Sequence, residues 1–595
     1  MRSRLAAAMC VVLSAAAGFG ARKPAPDAPF RAKLDRNSHA LHAVERLTFG
    51  PRPGDVEAVR RLGVKKWVDL QLHPERIPEN PELARRLAPL DSLRMSTLEL
   101  QQHYPTRQYA RAVMNGRAEM PDDPGARRAI ENMIARFKAK QDGTKSDAQV
   151  TDLREIVAGD ALRTLRTGTR EDKRAILVSL QPDQVQQVAE ALPPGMRAGL
   201  IAIAPTSVRR ELLAVNSPER VIADDLAEAR VYRAIYSNRQ LEEELTDFWF
   251  NHFNVFLDKG ADRYLVSEYE RDAIRPYVLG RFRDLLEATA KSPAMLFYLD
   301  NWQSMGAHSD AAQRARRDRG LNENYGRELL ELHTLGVDGG YTQRDVTEVA
   351  RCFTGWTIKG PVEGGGFFYN DRWHDKGAKT VLAVAIPAGG GEEDGERVLD
   401  ILAKSPATAH HICLELAQKF VADNPPERLV ARMAQSFLKT DGDLRQVLKT
   451  MLDSPEFWSH GADRAKVKTP FEMVISAVRA SGAQVDDAHG LVNEIAKLGE
   501  PLYRKLEPTG YSSISAEWVS SDALLDRMNF AAALATNRIA DVHVDTAQFN
   551  GKAADLIAHA LLDREASTQT RAAIEEADPF LVPGLVLGSP DFQRK

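Results

Sequence analysis

Residues 39–74 read HALHAVERLTFG (39–50), PRPGDVEAVRRLG (51–63) and VKKWVDLQLHP (64–74). Each run sets apolar residues three and four apart, which lines them up on one face of an α-helix, and each stops at Gly or Pro. A half-buried strand would alternate every second residue instead. The helical period returns over Asp400 to Phe420, Pro425 to Leu452 and Phe471 to Ser481, the last opened by Thr469 as cap and Pro470 in the first turn. The predicted fold class is therefore mostly α, a large multi-helix assembly. One region departs from the period. Gly364 to Gly366, FFYNDRWHDKGAKTVLAVAI (367–386) and the following AGGGEEDGE offer two short apolar or aromatic runs between glycine clusters, so one small β-hairpin is expected near 364–390.

Composition bounds the rest. The chain has 595 residues, 43% hydrophobic and 27% charged, an ordinary globular mix that excludes collagen-like and low-complexity polymers. A net charge of −4 gives no whole-chain attraction for nucleic acid, and no such partner is expected. Arg2 and Arg4 precede the apolar stretch Leu5 to Phe19, which gives way to small residues, so residues 1–21 read as a signal peptide of an exported protein, cleaved after Ala17, Gly20 or Ala21. A retained membrane helix would need about 20 apolar residues, and no integral membrane segment is expected after signal removal. Cys10 has Ala7 rather than leucine three residues earlier, which argues against a lipid anchor. Cys352 and Cys413 then remain, as a pair or as free buried thiols.

Residues 22–37 read as a linker and 38–595 as a single large helical domain. Within it the stretch near 103–215 is a charged helical insertion, polar up to about 172 and split by prolines over 174–214 (VSLQPDQVQQVAEALPPGMRAGLIAIAPTSVRRELL falls here). These short helical phrases suggest stacked helices, an inserted subdomain or a face for a protein partner. The phrase Ser-Pro recurs at Ser292, Ser405, Ser454 and Ser589, where serine serves as N-cap and proline as first helical residue.

Three segments carry groups capable of chemistry. SNRQLEEELTDFWFNHFNVF (237–256) crowds Phe248, Trp249, Phe250, Phe253 and Phe256 around Asp247, Asn251, His252 and Asn254. On a helix, Asp247, Asn251 and Asn254 share one face and Glu244, Phe248 and His252 another. Such aromatic density implies burial, and buried polar groups need partners. They form either a core hydrogen-bond network or a pocket wall with His252 as ligand or general base. In GLNENYGRELLELHTLGVDGGYTQRDVTEVARCFTGW (320–356), Asn324, Glu328 and Glu331 share a stripe. His333 lies two residues past Glu331 and faces away from it, so the Glu and His three apart of a di-iron bundle are missing. Thr342 and Asp345 resemble a capping box, and Glu348 and Arg351 a solvated pair. The third segment is Trp373-His374-Asp375-Lys376-Gly377, a His-Asp pair on a glycine-rich loop. His410, His411 and Glu415 read as a surface helix, although a four-residue His/Glu spacing is compatible with a metal. His39 and His42 sit three apart, with Arg46 one turn beyond His42. HExxH, Walker, GxSxG and post-strand GxGxxG patterns are absent, so no nucleotide or dinucleotide cofactor is expected.

These phrases carry a resemblance. HALHAVERLTFG, RQLEEELTDFWFNHFNVF, RPYVLGRFRDLLEATAKSPAMLFYLDN, the 322–356 block, the HDKGAK hairpin and KVKTPFEMVISAVRA are similar to the bacterial domain-of-unknown-function 1800 family, in collinear blocks from about Ser38 onward. The resemblance implies a large, mostly helical, exported protein and transfers no activity. It places His42, Arg46, Asn251, His252, Glu328, His333, His374 and Asp375 within the family's blocks. Two functions follow as expectations. One is an extracytoplasmic hydrolase acting on a cell-wall or environmental polymer, with His252, Glu328, His333, His374 and Asp375 as ligands or acid/base groups, around a divalent metal in one version. The other is a periplasmic or cell-surface binding or assembly protein in which the same groups form hydrogen-bond networks.

Overall fold

The computed structural model describes residues 27–143, 153–215, 217–307, 309, 311–312, 320–360 and 363–595. The expected signal segment, the first residues of the expected linker and the 144–152 part of the charged stretch lie outside them. Helix accounts for 61% and strand for 4%, so the protein is mostly α. The opening stretch forms α1 (His39–Leu47), α2 (Asp55–Leu62) and α3 (Val64–Gln71). Gly63, at φ 90°, is the joint between the last two, a backbone state that costs glycine nothing. Residues 27–37, read as linker, fold onto the body: Phe30 and Leu34 are buried, and the Leu34 N–H donates to the Trp458 carbonyl at 3.0 Å.

One continuous apolar core joins elements distant in sequence. Leu226, Val231 and Ile235 enter it from α4 (Pro218–Tyr236), and Leu241, Leu245 and Trp249 from α5 (Gln240–His252). Tyr325 and Leu329 of α6 (Asn324–Glu331) and Val346 and Val349 of α7 (Gln343–Cys352) join them. So do Leu416 and Phe420 of α8 (Pro406–Phe420) and Phe471 and Val474 of α9 (Pro470–Ala480). Each such side chain contributes about 1.5–3 kcal/mol when fully buried. The expected caps are in place at four helices. Thr342 with Asp345 and Thr469 with Glu472 close capping boxes, while Ser405 and Ser589 accept from the N–H groups of Ala407 and Phe592. Ser292 occupies the N-cap position without a side-chain bond, and Ser454 opens a turn in place of a helix.

The glycine-rich region holds two hairpins instead of one. β1 (Trp356–Ile358) pairs antiparallel with β2 (Phe367–Tyr369), and β3 (Lys379–Val381) with β4 (Val384–Ile386). The KTVLAVAI run doubles back on itself at Leu382 and Ala383, whose φ angles of 48° and 64° make a turn usually built from Asn and Gly. Asp345 holds this turn by accepting from the Leu382 N–H at 2.8 Å. With neither turn glycine nor asparagine present, the sequence hid it. A third pair, β5 (Gln484–Val485) with β6 (Val542–His543), was also unmarked.

The proline-split stretch over 174–214 is evenly stepped along the chain. Helices Arg170–Ser179, Pro182–Ala191, Pro194–Ile201 and Thr206–Ala214 have N-caps Thr169, Gln181, Pro193 and Pro205, and α4 follows from Ser217, each cap twelve residues after the last. Leu177, Val188, Leu200 and Leu212 recur at nearly the same interval and bury together in an apolar cluster separate from the main core. The packing skips a step: the Pro182–Ala191 helix lies chiefly against Thr206–Ala214, which Pro194–Ile201 also touches.

Because Ala383 is exposed and held in the left-handed region, Ala383→Gly is expected to raise stability by about 1 kcal/mol. Urea unfolding measures this, and a loss of stability would show that the turn is not strained.

Candidate functional site

A cleft of about 220 Å³ opens between α5, α8, the start of α9 and the 509–514 loop. α5 shapes it because its aromatic side chains take the core. Trp249 and Phe250 bury fully, which leaves Asp247, Asn251 and His252 on the wall. Asn251 and Asn254 hold the loop that closes the other side. Asn251 Oδ1 accepts from the Tyr511 N–H at 3.1 Å, and Asn254 Nδ2 donates to the carbonyls of Lys505 (3.0 Å) and Glu507 (2.8 Å). Gly510 passes so close that a Cβ there would meet the Asn251 carbonyl.

His252 meets an acceptor on each ring nitrogen. Nδ1 lies 2.7 Å from Glu415 Oε2 and Nε2 3.2 Å from the His333 carbonyl. Both contacts are satisfied together when both nitrogens carry protons. Burial pushes the Glu415 carboxyl up, but the His252 charge and hydrogen bond, helped by His411, outweigh it and hold the group below the usual range. Its side chain keeps 31% exposure, so this carboxylate faces the cleft. His411 Nε2 stands 3.6 Å from Glu415 Oε1, and its ring centroid is 6.3 Å from that of His252. The sequence reading set His411 and Glu415 on a surface helix. His410 does face solvent, paired with Glu427 at 3.0 Å, whereas the other two turn inward. Their four-residue spacing was the available signal. His333 also comes to this cluster, its ring centroid 6.2 Å from His252. Burial, and then the His252 charge, push its imidazole well below the ordinary range, and its Nε2 has no hydrogen-bond partner among the described residues.

Beneath the cleft lies a group of buried charges. Lys419 Nζ is 2.9 Å from Glu244, 2.7 Å from Glu472 and 3.6 Å from Asp247. Lys595 adds a second ammonium 2.7 Å from Glu472, and Arg230 pairs with Asp247. Burial alone would push the Glu472 carboxyl up, but the two ammoniums hold it far below its ordinary value. Among the described residues Glu500 has no such ammonium partner. It accepts from the Phe471 N–H at 2.8 Å, and burial followed by the Asp247 charge pushes its carboxyl up to about 8. One cleft thus holds ionised carboxylates and a neutral carboxylic acid, the condition for paired acid and base roles.

The remaining expected residues sit in other networks. His374 sits with Nδ1 2.8 Å from the Thr354 carbonyl, an acceptor, and Nε2 3.1 Å from Asp394, and Lys379 Nζ donates to the same Asp394 at 2.7 Å. Asp375 is held by the Arg351 fork at 2.9 and 3.0 Å, and Arg351 also binds Glu348. The Glu348–Arg351 pair, read as solvated, is thus one corner of a partly buried triad pinning the hairpins to α7. Glu328 lies half-buried on α6, its carboxyl pushed up by burial and by Glu331; its backbone carbonyl accepts from the His333 N–H at 3.0 Å, but among the described residues its side chain makes no hydrogen bond to the cleft histidines. His42 faces inward, its Nε2 2.8 Å from the Phe457 carbonyl. Among the described residues no group of three or more His, Cys, Asp or Glu is arranged to hold a metal ion. Nor is any helix among them long and apolar enough to cross a membrane.

Lys419→Met removes the ammonium nearest Glu244, leaving that buried carboxyl only Lys595 at 3.8 Å, and is expected to cost about 3–5 kcal/mol in urea unfolding. A cost under 1 kcal/mol would mean that the cluster is hydrated and weak. Glu500 carries a raised folded-state value, so its contribution to stability is full below its unfolded value near pH ~4.3 and drains away as pH climbs toward 8. The stability of Glu500→Gln relative to the parent should therefore rise steadily across that window. Parallel pH curves for the two proteins would contradict a neutral Glu500.

No curated protein and no solved structure matches this chain. A family model does: residues 42–594 match the family described as protein of unknown function (DUF1800), and the chain belongs to that family.

Proposed function

We propose that this protein is an exported hydrolase whose cleft uses Glu415, oriented by His252, as base and Glu500 as acid on a polar segment of an extracytoplasmic polymer. The observation that carries this reading is the coexistence of a partly exposed, ionised Glu415 and a neutral Glu500 on the wall of one cleft. A general acid must keep its proton near neutral pH, and a base must lack one; the two environments supply these states. The Arg2 to Phe19 pattern supports export. The chemistry so described moves protons and asks for no metal ligand set. His333 serves as a positioning group, its carbonyl fixing the His252 ring.

A second reading, a binding protein without turnover, draws on a specific observation: both His252 nitrogens and both His374 nitrogens are already occupied within the fold. Soluble peptidoglycan and polysaccharide fragments, assayed for cleavage and for thermal stabilisation of the protein, separate the two. The hydrolase reading expects cleavage that falls about 10²-fold or more in Glu415→Gln and in Glu500→Gln, with melting temperature retained in Glu415→Gln. Stabilisation without cleavage would replace it by the binding reading, and cleavage unchanged in both variants would remove these residues from the chemistry.

A further inference from the structure

A second cavity, of about 190 Å³, lies where α1, α2 and α3 meet the turn between α4 and α5, and it shares no lining residue with the cleft. Its walls differ. One is apolar, built from Val44, Val59, Leu62 and Trp67, with Leu62 partly open to solvent. The other is polar and carries two guanidiniums, Arg52 and Arg479.

The amides of the polar wall are already used. Gln71 Nε2 donates to the Asn238 carbonyl and its Oε1 accepts from the Leu241 N–H, while Gln240 bridges Phe49, Ala234 and Ser237. Arg479 spends its donors on the Gly50 carbonyl (2.6 Å), the Ile235 carbonyl (2.8 Å) and Asp55 (3.3 Å). Arg52 is different. Its Nη2 donates to the Ser237 carbonyl at 3.1 Å and its Nε is enclosed by protein, which leaves Nη1, without a hydrogen-bond partner among the described residues, as the edge a ligand can reach. Asp55 is the single carboxylate among the described lining residues, and it is shared by Arg479 and the Arg52 N–H. Glu79, the next acid, already accepts from Ser237 Oγ and from the Asn80 and Asn238 N–H groups.

We propose that this cavity binds a small carboxylate bearing a short hydrocarbon chain, its carboxylate on the free edge of Arg52 and its chain against Val59, Leu62 and Trp67. The guanidinium edge matches a planar carboxylate in two parallel hydrogen bonds, which a point charge cannot do. The apolar wall rewards each buried methylene with about 0.8 kcal/mol. The charge balance agrees with this occupant. Burial, and then the adjacent Arg52 charge, pull the Arg479 guanidinium down to about 9, a repulsion that a bound anion relieves.

Pentanoate is a suitable probe, read by ¹⁹F NMR of the full chain labelled with 5-fluorotryptophan, with the Trp67 resonance assigned through Trp67→Phe. A saturable shift of that resonance is expected with pentanoate and not with pentan-1-ol or butylammonium. Arg52→Gln should weaken the pentanoate response about tenfold or more. Ala58→Trp, which crowds the cavity from its rim without removing a polar contact, should abolish the response, and Glu415→Gln should leave it unchanged. Equal response to pentan-1-ol, an undiminished response in Arg52→Gln with melting temperature retained, or no saturable response to pentanoate would each overturn the proposal.

Discussion

Lys419 is the side chain on which the rest of the site depends. It is buried, and the acids that compensate it come from two other helices, Glu244 and Asp247 from α5 and Glu472 from α9. An ion taken out of water tolerates few geometries, because the attraction that offsets its lost hydration falls off quickly when partners separate. Three helices are thus held at one mutual distance by a handful of polar atoms. Arg230 extends the same constraint to α4, pairing with Asp247 while lying 4.8 Å from the Tyr503 ring centre and 5.5 Å from those of Phe250 and Phe471. The cleft walls inherit their positions from this group, and Glu415, one turn before Lys419 on α8, is aimed by the same helix.

Two polar networks built from similar residue types end in different states. Around His374 every strong donor and acceptor finds a partner inside the protein, with Lys379 tying Asp394 to the hairpin backbone. Around His252 the satisfaction is incomplete: His333 Nε2 has no partner among the described residues, and Glu415 keeps an oxygen toward the cleft. The first arrangement holds two hairpins against a helix. The second leaves a Glu415 oxygen on the cleft wall, and on the proposed reading this difference, more than the identity of the residues, separates scaffold from site.

The helices and their caps were legible because their causes are local. Three- and four-residue apolar spacing, Thr342 with Asp345, and Thr469 before Pro470 act within a turn or two of chain. The aromatic segment 237–256 was correctly read as buried, yet the sequence does not say which polar group would point where; Asn251 and Asn254 became tethers for a loop some 250 residues away. His411 and Glu415 were misplaced for the same reason, since the partner that turns them inward, His252, is set by long-range packing. The Leu382–Ala383 turn escaped notice because tertiary support from Asp345 stands in for turn-forming residues.

The evenly spaced caps from Thr169 to Ser217 have a consequence for how this chain tolerates change in length. Helices joined at a constant step are like the treads of a staircase, and because Pro182–Ala191 lies chiefly against Thr206–Ala214, one tread beyond its neighbour, treads would be gained or lost most readily in pairs. Deletion of a partial tread would instead rotate every later hydrophobic stripe out of phase. Since the last cap opens α4 itself, the staircase is bolted directly to the central core, and such gains and losses would carry its far end outward without disturbing the helix on which Arg230 stands.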